Sequence, residues 1–287
     1  MGDKTQKPLS IEFVSGIGVA ANRAPMIKIF PNIESSIICF SQSLRKHQEI
    51  CILSHLGRHL RIGHLSNNEM DNFLYANDIS PPCRAVLMVA KESKMDYKLR
   101  EVKQEDQKYI AEPFLKIIPA RKILSMVDYG FTLWDSHAII SYLADEFANR
   151  LALYPKELQK RAEVIQCFIF NASVLSPALK RAVRPVLTGE RTSILKEDID
   201  ACKDAFSQLD KLLEDTKWLV QYETYTVADI CCVATISSAS VLVDVNQYPN
   251  IKAWMKCCEE EIPSYKEFNE PGLKKFHALL APALSNS

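Results

Sequence analysis

Two short stretches of this chain combine residue types and positions that can do chemistry. Ser80-Pro81-Pro82-Cys83 lies between an apolar run and a helical pattern. A serine at that boundary can cap the helix, and its hydroxyl with the helix dipole can equally favour a bound anion. S-P-P-C is also the C-x-x-C redox pattern with its first cysteine replaced, so Cys83 is a candidate for thiol exchange. A lone second-position cysteine is usually buried, which ranks that role below the serine. Asp135-Ser136 opens a later helix. There a hydroxyl and nearby amides can hold a carboxylate while Asp135 pairs with an ammonium.

Other constellations have plainer readings. His47, Cys51, His55 and His59 recur every fourth residue and would share one helix face, as metal ligands can. Gly57 interrupts that helix, and a leader outside the fold is the simpler reading; no metal site is expected. Lys180, Arg181 and Arg184 can favour an anionic ligand, but three bases on an amphipathic helix more often form a solvated face. Thr226-Val227-Ala228-Asp229 has the threonine and the acid three residues on that make a capping box.

The elements that must position these residues read in two blocks. From Asp71 come a strand in 71–78, a helix in 81–93, a strand in 97–103, a helical segment in 105–117, two strands turning at Asp128-Tyr129-Gly130, and a helix in 135–149. That order, β-α-β-α-β-β-α, predicts a parallel pair closed by an antiparallel hairpin, with a right-handed crossover. Beyond the 151–159 connector, stretches 157–180, 192–214, 226–243 and 249–261 all carry apolar residues at three-to-four spacing and predict an all-α block. Residues 1–69 show neither period and are read as a poorly ordered extension.

Composition bounds the function. The 287 residues carry 35 basic and 35 acidic side chains, which leaves no global field to draw in nucleic acid or an anionic membrane. No run approaches the roughly 20 apolar residues of a membrane span, and no secretory signal opens the chain, so a cytoplasmic protein is expected. The 9 cysteines show no framework spacing and are read as reduced core thiols. In Cys231-Cys232 and Cys257-Cys258 one partner should pack inside and the other face outward, since helical neighbours point about 100° apart.

The stretches SPPCRAVLMVAKE (80–92), YGFTLWDSHAI (129–139), LYPK (153–156), TVAD (226–229), YPNIKAW (248–254) and NEPGL (269–273) resemble the insect delta/epsilon cytosolic glutathione transferases, in order and spacing, over essentially all of 70–280. The resemblance implies an α/β plus all-α protein: a thioredoxin-like glutathione-binding domain over 70–150, an all-helical domain over 158–280, and a homodimer. It implies glutathione as co-substrate with no other cofactor, a small hydrophobic electrophile as its partner, and a role in detoxification.

Residue by residue, Ser80 matches the catalytic serine. A free thiol with a pKa of about 8.5 is only a few per cent thiolate at neutral pH, so the enzyme must favour the anion. Arg121, Ile123, Asp135, Ser136 and His137 match glutathione-binding positions, with Asp135 and Arg121 where the family usually has glutamate and histidine. Pro82, Ser176, Leu179 and Arg184 fall on the electrophile pocket, where aromatics are common in the family. Asn171 stands in place of a frequent aspartate. Leu124 replaces a cis-proline, and a cis bond before a non-proline residue costs about 2.5–4 kcal/mol, so a trans Ile123-Leu124 bond and a reshaped loop are expected, with weakened activity. The alternative is a non-catalytic ligand-binding protein of the same fold.

Overall fold

The computed structural model describes residues 72–102, 124–148 and 153–285. The 1–69 extension with its histidine array, the expected helix in 105–117, and Arg121 and Ile123 lie outside the described residues.

Four short strands form one mixed sheet: β1 (Phe73–Ala76), β2 (Lys98–Glu101), β3 (Ser125–Asp128) and β4 (Phe131–Trp134), in the order β2-β1-β3-β4. β1 runs parallel to β2 and antiparallel to β3, and β3 antiparallel to β4. The β3–β4 hairpin turns on Tyr129 and Gly130, both at positive φ (46° and 86°), the mirror-image turn whose twist suits adjacent strands. Helix α1 (Pro81–Glu92) follows β1, and α2 (Ser136–Glu146) follows β4. Because β1 and β4 both run opposite to β3, they point the same way, and both helices start at the same end of the sheet. The two helices pack against each other.

The remainder is helical: α3 (Leu158–Phe170), a π-helical turn (Asn171–Leu175), α4 (Ser176–Leu187), α5 (Lys196–Leu212), α6 (Val227–Ala239), α7 (Pro249–Glu261) and α8 (Glu270–Leu284). The expected helices are present. The final one, α8, was not foreseen beyond its NEPGL start.

Helix α6 is the hub, with all of its residues from Val227 to Ala239 buried. Its start is held as the TVAD spacing predicts. Thr226 Oγ1 accepts from the Ala228 amide (3.2 Å), and Asp229 Oδ2 accepts from the Thr226 amide (2.8 Å). Asp229 Oδ1 further accepts from the Leu219 amide (3.0 Å) and Trp254 Nε1 (2.9 Å), tying the preceding loop and α7 to the same carboxylate. Burial pushes the Asp229 carboxyl upward in pKa, against the pull of those donors.

Two expectations change. Cys257 is partly exposed over a buried Cys258, as the helical angle predicts, but Cys231 and Cys232 are both buried because α6 is covered on every side. And the continuous helix Leu158–Leu187, with a mean hydropathy of 1.4 in its most apolar window, is long and apolar enough to cross a bilayer by length and composition alone. Its Val164, Phe168, Leu175, Leu179, Ala182 and Val183 lie in the protein core, so one face of the helix packs against the rest of the fold.

Candidate active site

Ser80 is the N-cap of α1, with extended backbone (φ −76°, ψ 123°) and a half-buried side chain. Its hydroxyl takes no capping bond, while its carbonyl accepts the Arg84 amide (3.1 Å), the first bond of the helix. Pro81 and Pro82 follow, both half-buried, and neither has an amide hydrogen. Two of the first amide donors of α1 are therefore absent. The first helical N–H belongs to Cys83, so the anion-favouring groups at this helix mouth are the Ser80 hydroxyl, one amide and the helix dipole.

Cys83 is buried at 1 % exposure. Burial pushes its thiol pKa up, against hydrogen bonds that include Ser80. A protonated, enclosed thiol is a poor exchanger, which removes the support for a redox role.

At the same end of the sheet, Asp135 caps α2 from a left-handed backbone (φ 78°), accepting the His137 amide at 3.0 Å. His137 Nδ1 lies 3.4 Å from the same carboxylate oxygen. The His137 contacts, opposed by burial, hold the Asp135 carboxyl below its usual range. Asp135 is therefore committed in part to its own helix and neighbour rather than standing free for a ligand ammonium, although half its side chain remains exposed. Ser136 is buried at the first position of α2.

His137 reaches across to the helical domain. Its ring lies 5.1 Å from that of Phe168, and its Nε2 is 3.3 Å from Asn171 Nδ2, which also donates to Cys231 Sγ (3.1 Å). Burial disfavours the imidazolium, but Cys231 and Asp135 outweigh it and push the pKa up to about 10. Asn171 sits in the π-helical turn, an irregularity that often marks functional positions.

The electrophile-wall residues separate. Ser176 is half-buried and 3.4 Å from Asn171 Oδ1, so it borders the His137 cluster. Leu179 is 4 % exposed and lines a small void with Phe206 and Ile236, which makes it a core residue rather than a pocket wall. Arg184 is exposed on α4. Of the other two bases on that helix, Arg181 pairs with buried Asp198 (2.6 Å), and Lys180 is exposed. The solvated-face reading of this helix stands.

Leu124 is buried at 4 % exposure with φ 78°. Proline is locked near −65°, so the backbone here has a conformation no proline can adopt.

One residue escaped the sequence reading. Arg84 is fully buried, and its guanidinium makes five hydrogen bonds: to Asn269 Oδ1 (2.8 Å), to the carbonyls of Ile79 (2.6 Å), Asp78 (3.2 Å) and Ala234 (3.2 Å), and to Ser238 Oγ. A lone arginine inside the apolar run CRAVLMVA was the available signal.

Comparisons with known proteins agree with this arrangement. Residues 74–151 match the glutathione S-transferase N-terminal domain model and 171–261 the C-terminal domain model. Glutathione S-transferase 1 of Manduca sexta is 36 % identical over 216 residues, covering 74 % of this chain and 98 % of the relative. Among solved structures, a delta-class glutathione transferase of Nilaparvata lugens superposes with a TM-score of 0.70 at 33 % identity, covering 73 % of this chain and 98 % of that one. An epsilon-class enzyme of the housefly, Musca domestica, gives 0.69 at 30 % identity over 75 % and 99 %. The sheet, the helical domain and these relatives together place the chain in the glutathione S-transferase family, among its insect delta/epsilon members.

Proposed function

We propose that the protein conjugates reduced glutathione to small hydrophobic electrophiles, with Ser80 holding the thiolate. The observation that carries this is a serine hydroxyl at the mouth of α1 that makes no capping bond to a helix whose own amide donors are reduced by two prolines. Such a hydroxyl donates to a sulfur anion more readily than it caps the helix. Each unit by which the thiol pKa falls corresponds to about 1.4 kcal/mol of preference for the thiolate. Ser136, His137 and Asp135 gather at the same end of the sheet to receive the γ-glutamyl end, with Arg121 and Ile123 assigned to the rest of the tripeptide.

The backbone at Leu124 supports a weaker glutathione site than in relatives that carry proline there. Rate is expected to suffer more than fold.

A homodimer fits the exposed apolar stripe on α3. Leu158 (81 %), Ile165 (44 %) and Ile169 (61 %) recur at helical spacing and stand open to solvent in the single chain. A cytoplasmic detoxifying role follows from the reaction.

Glutathione affinity and turnover of a generic aryl halide test the reading together. Saturable glutathione binding with conjugate formation supports it. Glutathione binding without turnover would favour the ligand-binding alternative.

A further inference from the structure

The mouth of α1 carries a charge that its sequence position does not advertise. All five guanidinium hydrogens of Arg84 are satisfied, and every acceptor is neutral: one amide oxygen, three carbonyls and one hydroxyl. The nearest acid in the turn, Asp78, is engaged from the surface by Lys275 (2.6 Å), so that pair cancels and the arginine's charge does not. Burial pulls the Arg84 pKa down to about 10, which leaves it ionised at neutral pH. The bond to the Ile79 carbonyl (2.6 Å) falls on the peptide whose N–H belongs to Ser80. That N–H donates to Asn77 O (3.1 Å), so the arginine and Asn77 clamp the same peptide plane from both ends. Apart from the Asp78 carbonyl in the same turn, the other acceptors lie on α6 and at the start of α8, so the helical domain also holds the guanidinium in place.

We propose that Arg84 is a positioning residue of the thiolate site, whose buried, uncompensated guanidinium fixes the peptide ahead of Ser80 and lends positive potential to the anion formed there. This rests on the glutathione reading above. With two of the first three amides of α1 missing, the helix mouth is short of donors, and a buried cation one turn inside supplies what they do not. A unit charge within about 10 Å at an effective dielectric near 20 moves a neighbouring titration by roughly one pH unit.

The test is a pH titration of the bound glutathione thiolate, followed by its ultraviolet absorbance, in the full-length wild type and three variants. Asn269→Asp places a carboxylate of nearly the same shape on Arg84 Nε and cancels the charge while keeping the hydrogen bond. Arg84→Met removes the charge outright, and Arg84→Lys keeps it. Asn269→Asp and Arg84→Met are expected to raise the thiol pKa by about one unit and lower kcat/KM near neutrality several-fold, with KM for glutathione changed less than kcat. Arg84→Lys is expected to titrate close to wild type. If the wild type forms a thiolate and either neutralising variant, folded by its melting transition, titrates at the wild-type pH, the proposal is overturned while the glutathione reading stands. A wild type that binds glutathione only as the thiol, or not at all, overturns both.

Discussion

A Cβ at Gly272 would lie 1.9 Å from the carbonyl oxygen of Asp78. The last helix of the described chain therefore rests directly on the backbone turn that leads into Ser80, two residues on. Arg84 Cδ is 2.9 Å from the same point, so the guanidinium clamp and the helix contact share one crowded spot.

Gly272→Ala should accordingly destabilise the protein by about 3 kcal/mol, at the upper end of overpacking costs, because backbone cannot rotate out of the way as a side chain can. Urea denaturation measures it. The same variant should weaken glutathione binding, since the displaced turn carries Ser80. A stability change within about 0.5 kcal/mol would contradict the packing described.

Asp229→Ala should cost about 4 kcal/mol, well beyond an ordinary cap. The fully buried carboxylate accepts from two amides, an indole and a hydroxyl, and each stranded donor costs about 1–3 kcal/mol with partial relief by relaxation. Thr226→Ala, which removes only the side-chain half of the box, should cost about 1 kcal/mol. Thermal or chemical denaturation of the two variants side by side checks the difference.

How much of this was legible in the sequence depends on the range of the interaction. The hairpin at Tyr129-Gly130, the capping box at Thr226 and the serine at the helix mouth are local patterns, each specified within a few residues. Helix α8 was missed because Pro271, Gly272 and Pro282 interrupt its periodicity, and it is held by packing. Three of the partners of Arg84, Ala234, Ser238 and Asn269, lie 150 to 185 residues away in sequence, on α6 and at the N-cap of α8, so the helical-domain half of its clamp has no local signature. Leu179 resembled a pocket residue by position, but the orientation of α4 turns it into the core. The pairing of Cys231 with Asn171, and of Asn171 with His137, likewise depends on how α6 and α2 each meet the π-helical turn.

His137 gives a pH signature. Its folded pKa, pushed up to about 10, lies above the unfolded value near 6.5. The stability it contributes is therefore fully present below about pH 6.5 and is lost as pH rises toward 10. Asp135 is depressed, so its share is present above about pH 4 and is lost on further acidification. Melting temperatures of wild type and His137→Gln should differ by a few degrees at pH 6 and converge toward pH 10. A gap that stays constant across that window would contradict the assignment.

Ile169→Glu should convert a dimer to a monomer. The side chain is 61 % exposed in the single chain, so a charge there costs the isolated fold little, whereas at a dimer interface it would be desolvated without a partner. Light scattering of the two proteins reads the outcome, and a dimer that persists in the variant places the interface elsewhere.

The central claim is that Ser80 holds the thiolate at the mouth of α1. Its most direct test is the aryl-halide conjugation rate of Ser80→Ala against wild type, measured at saturating glutathione from pH 6 to 9. The account predicts at least a tenfold fall in kcat near neutrality, partly recovered at high pH as the thiol ionises unaided. A variant that turns over at the wild-type rate across that range would contradict it.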